Sequence, residues 1–203
     1  SISTTIRNPE RLRDFLRVLK KLEGQPFCKD NQIKYQVLLI QERIYKPLKI
    51  HQKFRKYYNK EISSEIPLEI AQEIFDAQKY EDPPMRGRQS VNPLNKLGFS
   101  IAREGFGNVL ITELGNKFLK ENYDIDHIFF KSLLKLQFPN PWNIDFSEKE
   151  NFNIMPFIGV MHLIHKLNQK TTKRGLDKTE FIVFVPTLIN FKQIDEYVER
   201  ILE

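Results

Sequence analysis

Apolar residues recur three or four apart along most of this chain, the spacing that gathers side chains on one face of an α-helix. Leu12, Phe15, Leu16, Leu19 and Leu22 do so first. Asn8-Pro9 ahead of them reads as an N-cap with proline at the first helical position, and Gly24 ends the run. A second amphipathic helix is predicted over Asn31 to Tyr45, with Ile33, Val37, Ile40 and Ile44 inward. A third runs from Pro67 to Tyr80 on Leu68, Ala71, Ile74 and Phe75. Asp82-Pro83-Pro84 stops it, because a residue before proline avoids the helical region. Ile125 to Phe138, capped by Asp124, keeps Ile128, Phe129, Leu133 and Leu136 on one side. Ile154 to Leu167 is apolar on most sides, which predicts a central core helix. A basic loop from Lys166 to Arg174 follows. The next apolar run, Phe181 to Val185, suits strand or helix by pattern. Asp177 with Glu180 three residues on has the form of a capping box and favours helix. Ile194, Tyr197, Val198 and Ile201 mark a last amphipathic helix over Asn190 to Glu203. Ser1 to Ile6 alternates like a short strand or arm, and polar Asn143 to Glu150 reads as loop.

One stretch breaks this helical run. Between Met85 and Leu119 a short basic helix leads to Gly98, a residue that takes a left-handed helix stop without steric cost. Ser100 to Arg103 and Asn108 to Ile111 then flank Glu104-Gly105-Phe106-Gly107, the signature of a β-hairpin. Thr112 before Glu113 and Leu114 opens another helix. Helix, hairpin and helix in this order form the back half of a winged-helix module, whose helix enters the DNA major groove beside a hairpin wing. The bland alternative is any hairpin packed on helices. The expected class is mainly α (α+β), with winged-helix-like subdomains and a small hairpin. The boundary is expected near Asn122 to Asp124, giving subdomains 1–122 and 123–203.

Charge adds to this picture without deciding it. The 203 residues carry a formal net charge of +6, which suits a polyanionic partner. Hydrophobic residues make up 40%, enough for a core. The first helix has a dense basic face of Arg7, Arg11, Arg13, Arg17, Lys20 and Lys21, and Lys46 to Lys60 is a basic, tyrosine-containing segment. Either is a phosphate-contacting surface or simply solvated. Cys28 is the one cysteine, which excludes an internal disulfide and fits a reducing cytoplasm. No apolar run approaches the length of a membrane span, and no signal segment opens the chain. Both ends look cut, as in a piece of a longer protein.

Catalytic chemistry is poorly represented. Gly105-Phe106-Gly107 lacks the Lys-Ser/Thr pair of a phosphate-binding loop. His162 and His165 have neither a glutamate between them nor cysteine ligands nearby, so a zinc site is not expected. Mg²⁺-dependent nucleases often hold an acid, a spacer residue and a lysine on one strand. None of the 26 acidic residues has a lysine two positions later. No catalytic or metal-ligating residue is therefore assigned. Binding chemistry is better supplied. Arginine and lysine reach phosphates, arginine pairs bidentately with guanine, and asparagine or glutamine pairs with adenine. Arg86, Arg88, Gln89, Asn92, Asn95 and Lys96 offer that mixture on or beside one short helix. Arg7, Asn8 and Arg11 at the first helix, with Lys131 and Lys135 one turn apart further on, complete the candidate DNA-binding set.

The chain also resembles the N-terminal part of the AlwI family of type IIS restriction endonucleases, which includes site-specific nicking endonucleases. The resemblance is carried by Ser3-Thr4-Thr5-Ile6-Arg7-Asn8-Pro9-Glu10-Arg11-Leu12 with Phe15-Leu16-Arg17-Val18-Leu19, and by Arg86-Gly87-Arg88 leading through Pro93 to Leu97-Gly98-Phe99. Leu110-Ile111-Thr112-Glu113-Leu114-Gly115, Phe130 to Pro139, and Asn153 to Leu167 extend it. It implies two recognition subdomains of winged-helix character, a linker, and a Mg²⁺-dependent PD-(D/E)XK cleavage domain beyond Glu203. It implies a prokaryotic restriction-modification setting and a short asymmetric double-stranded DNA site, cut a few base pairs outside. Whether one strand or both are cut, and whether a second nuclease subunit takes part, stays open. On this reading the chain recognises DNA and is non-catalytic alone. The alternatives are a winged-helix transcription regulator, and a protein-interaction domain whose basic charge is incidental.

Overall fold

The computed structural model of the chain describes residues 8–58, 64–120, 122, 124–140, 151–172 and 175–203. The expected N-terminal arm, Arg7 and the loop from Asn143 to Glu150 lie outside them. The fold is mainly helical with one small antiparallel hairpin. It divides into two compact units, Ser1–Ile128 and Phe129–Glu203.

In the first unit, α1 (Pro9–Lys20) begins as expected, with Asn8 accepting a hydrogen bond from the Arg11 N–H. Leu12, Phe15, Leu16 and Leu19 are buried along it. The second helix, α2 (Lys29–Gln41), departs from its expected amphipathic form. Gln32, Tyr35, Gln36, Val37, Leu38, Leu39 and Ile40 are all buried. Helices pack on α2 from several sides, so its polar as well as its apolar faces are inside. The Tyr35 hydroxyl meets the requirement this creates by donating to the Phe15 carbonyl at 2.9 Å. A 3₁₀ segment (Gln52–Tyr58) and α3 (Leu68–Asp76) close a core cluster of Val37, Ile40, Phe54, Ile66, Ala71, Ile74 and Phe75.

The expected stop at Asp82-Pro83-Pro84 is not what ends α3, which finishes at Asp76 with Ala77 as its cap. Pro83-Pro84 instead starts α4 (Pro83–Lys96), with Asp82 as N-cap accepting from the Met85 N–H at 3.0 Å. The missing proline N–H groups fall where a helix has no internal partner for them. Gly87 lies so close to α2 that a Cβ there would sit 2.1 Å from the Gln32 carbonyl oxygen. Across the same seam, buried Ser90 donates to the Gln36 side chain at 2.9 Å. Gly98 (φ +79°) then turns the chain into β1 (Ser100–Ile101), which pairs with β2 (Leu110–Ile111) through Ser100 with Ile111 and Ile101 with Leu110. The paired strands are shorter than the expected four residues each. Thr112 caps α5 (Glu113–Leu119), and Phe118 stacks on Phe99 with ring centroids 4.3 Å apart. The last helix to begin in this unit, α6 (Ile125–Lys135), has its first turn set by Asp124 accepting from the His127 N–H.

The second unit contains α7 (Pro156–Lys170), α8 (Lys178–Phe184) and α9 (Ile194–Leu202). Its core is Ile154, Leu163, Leu167, Leu188, Ile194, Tyr197 and Val198. The expected capping box of Asp177 and Glu180 is present, and the apolar run it opens is helical. Two expectations fail here. Residues 166–170 continue α7 rather than forming a loop. And α7 is not a central core helix: only Gly159, Leu163 and Leu167 are buried, while Met155, Ile158 and Met161 are exposed. The stripe facing α9 finds cover, and ion pairs from Lys166 to Asp195 and Lys170 to Glu199 flank it. Lys166 beside Asp195 holds that carboxyl below its usual range.

Two outcomes test this packing. Gly87→Ala places a methyl against backbone that has no rotamer to yield, and should cost about 3 kcal/mol or more. Unchanged urea unfolding would show that α2 and α4 do not approach so closely. Burial pushes the hydroxyls of Tyr58 and Tyr80 up to about 12 from the usual 10. Their contribution to stability is therefore complete below pH ~10 and is lost as pH rises toward ~12, where the unfolded chain has released protons that the folded chain still holds. Among the described residues the buried Tyr58 hydroxyl has no hydrogen-bond partner. Tyr58→Phe should leave stability at pH ~8 unchanged or higher and soften the alkaline loss. A drop of more than about 1 kcal/mol at pH ~8 would mean the hydroxyl is bonded.

Candidate nucleic-acid interface

Six of the candidate residues lie on α4, and the packing of that helix decides what each can do. Its first turn is held by a chain of polar contacts. Asp82 accepts from Arg88 Nη2 at 2.7 Å, and Arg88 Nη1 donates to Gln32 Oε1 at 2.9 Å. Gln32 is fully buried, and its Nε2 donates to the Phe27 carbonyl at 2.8 Å and reaches Glu104 Oε2 at 3.2 Å. Glu104 belongs to the hairpin loop. One buried glutamine thus ties the N-terminal turns of α4 to a hairpin that leaves from its other end. The hairpin folds back along the helix.

Arg86, Gln89 and Asn92, three apart, form the outward strip of α4. Gln89 is exposed and the other two are half-buried. The Arg86 guanidinium lies over the Tyr80 ring, 4.4 Å from its centre, and Nη1 reaches Gln89 Oε1 at 3.4 Å. Arg88 keeps about 40% of its side chain exposed, but its charge is paired with Asp82. The remaining two point elsewhere. Lys96 is buried. Asn95 serves the hairpin: its Oδ1 accepts from Ser100 Oγ and from the Ala102 N–H, and its Nδ2 donates to the Ala102 carbonyl. Asn95 follows Arg86 by nine residues, two and a half turns, which sets it on the opposite side of the helix.

The hairpin presents an exposed tip, with Gly105 and Gly107 at positive φ and the Arg103 guanidinium 4.6 Å from the centre of the Phe106 ring. The segment between α1 and α2 joins it as a third extended strip. The Gly24 N–H donates to the Val109 carbonyl, the Val109 N–H donates to the Gln25 carbonyl, and Pro26 bridges to Asn108. At the hairpin base, the Thr112 hydroxyl donates to the Gly98 carbonyl at 2.7 Å while its oxygen caps α5.

The basic face of α1 is largely consumed within the protein. Arg17 pairs with Asp14 and Glu42, Lys21 with Glu42, and Lys20 donates to the Asn116 side chain. The Arg11 guanidinium lies over the Phe15 ring, and the Asn8 side chain is the helix cap. In the second unit, Lys131 and Lys135 are exposed one turn apart on α6. Sequence reasoning missed Gln32, Glu104 and Tyr80 as members of the site. Only the buried position of Gln32, beside a glycine 55 residues away, gives it a role, and nothing local in the sequence signals that.

Among the described residues no group of three or more His, Cys, Asp or Glu side chains could hold a metal ion. His162 and His165 are exposed on α7, where His162 borders a shallow apolar groove with Met155, Ile158 and Phe191. Among the same residues, no helix is long and apolar enough to cross a membrane.

A family model described as AlwI restriction endonuclease matches residues 95–203, more than half of the chain. The match begins at the end of α4 and takes in the hairpin, α5 and the whole second unit. It contains four of the segments that carried the resemblance, while Ser3 to Leu19 and Arg86-Gly87-Arg88 lie outside it. No curated protein matches the chain.

Asn95→Ala removes two acceptor contacts and one donor contact at the hairpin base and should lower stability by about 1–3 kcal/mol. Urea unfolding measures this. An unaffected midpoint would release Asn95 from the structural role and return it to the set of outward side chains.

Proposed function

The chain belongs to the AlwI restriction endonuclease family, and from that premise we propose that it is the double-stranded DNA-recognition region of a type IIS restriction or nicking enzyme. The reading is that it binds a short asymmetric site and positions a separate Mg²⁺-dependent nuclease domain. The first subdomain, 1–122, reads the groove in a winged-helix-like manner. The second, 123–203, is a mostly helical recognition subdomain. The observation that carries this is the fold-back of the hairpin along α4, held by Gln32 between Arg88 and Glu104. It brings an exposed loop back toward the start of a helix that carries guanidinium and amide groups, an arrangement that suits a helix entering a groove with a wing alongside. The third extended strip at Gln25–Pro26 supports the same reading.

In this arrangement Arg86, Gln89 and Asn92 face the base edges. A guanidinium pairs with guanine through two bonds, and an amide does so with adenine. Arg103 at the hairpin tip, and Lys131 and Lys135 on α6, contact phosphates, which position the protein without reading sequence. Arg88 acts as the strut that fixes the helix start. Hydrolysis belongs elsewhere by this reading. No acid in the chain stands two before a lysine, the spacing in which such nucleases often hold their metal.

The test is a binding selection from random duplex DNA, with the selected sequences retested at two salt concentrations and incubated with Mg²⁺. A single short asymmetric motif that survives higher salt, bound and left uncut, is the expected result. A palindromic motif bound by a dimer would replace this reading with a transcription regulator. Absence of duplex binding would leave an interaction domain, and cutting by the chain itself would overturn the separation of recognition from cleavage.

A further inference from the structure

Unit one carries a second cationic surface, on the segment between α2 and α3. Residues 46–58 contain Lys46, Lys49, Lys53, Arg55 and Lys56 and no acid, five charges against a net of +6 for the whole chain. All five side chains are exposed. Glu73 neutralises Lys53 at 2.9 Å. Among the described residues, Lys46, Lys49, Arg55 and Lys56 have no carboxylate within ion-pair distance. Such a cluster costs self-repulsion, whereas Arg17 and Lys21 at α1 are each paired with a carboxylate.

The segment is also anchored. Phe54 is 3% exposed, in the core cluster with Ile40, Ile66 and Phe75. Pro47 is buried, and Gln78 Nε2 donates to the Lys49 carbonyl at 2.9 Å. Lys46 lies over the Tyr58 ring and Lys56 over the Tyr57 ring, 5.4 and 5.0 Å from their centres. Exposed lysines on a free loop lose side-chain and backbone entropy on binding. Here the backbone share is already spent by the core contacts, so less is lost at each phosphate.

We propose that Lys46, Lys49, Arg55 and Lys56 form a phosphate-contacting surface for the duplex, separate from the helix strip and blind to base sequence. This rests on the DNA-recognition reading. The test replaces all four by glutamine in the full 203-residue chain and measures affinity against salt concentration for the selected duplex and for a scrambled one. Affinity should fall by the same factor on both, and the slope of log K against log salt should become shallower by about 0.9 for each phosphate no longer neutralised. The selected motif should not change. A companion with arginine at 46, 49 and 56 should keep the wild-type slope. Unchanged affinity and slope in the glutamine variant would overturn the proposal, as would a changed motif. A wild-type chain that binds duplexes without a motif would defeat the recognition reading alone, since the slope comparison still reports the phosphate contacts.

Discussion

Two helices that the sequence separates widely meet without an intervening side chain in the first unit. With Gly87 against the Gln32 carbonyl, α2 and α4 touch backbone to side-chain-free backbone. Their separation at this point leaves no room for a methyl group. Gln32, Gln36 and Ser90 are sealed at or near the contact and must find partners there, as Ser90 and Gln36 do in each other, because a buried polar group without a partner costs more than a hydrogen bond contributes. Gln32 does so completely, through Phe27, Arg88 and Glu104. The position of the hairpin, and the direction in which α4 presents its outer strip, both follow from that one seam.

The same packing sorts the cations. A cation beside a carboxylate is held in one geometry and has little left to offer a phosphate, whereas an exposed cation without a partner loses only hydration and side-chain freedom. At the C-terminal end of α1, Arg17, Lys20 and Lys21 are matched by Asp14, Glu42 and Asn116. On α4 the charge of Arg88 is turned inward to Asp82. Among the described cations left outward are those of the anchored segment 46–58 and the pair on α6. An excess of six charges is small for a chain of this length, so its placement matters more than its size.

The second unit is built on a thinner core. Its buried residues come mainly from one stripe of α7 and the facing side of α9. A helix that is apolar all round is buried all round only if neighbours surround it, and within this unit α7 has its principal neighbour on one side. Phe181, Ile182 and Val183 of α8 are exposed for the same reason, though their helix begins at a complete capping box.

Local features were legible from sequence because their causes lie within three or four residues. Asn8, Thr112, Asp124 and the Asp177–Glu180 pair cap the helices they precede, Gly98 turns at positive φ, and a hairpin stands between α4 and α5. The family was legible too, since the order and spacing of short segments survive without knowledge of their contacts. Tertiary structure alone decided which helix is central, which of six polar residues on α4 face outward, and which cations are free. Arg88 meets Gln32 across 56 positions, and Lys20 meets Asn116 across 96. Periodicity says which side of a helix is apolar. It does not say how many neighbours will cover the other sides, and burial, pairing and accessibility are properties of those neighbours.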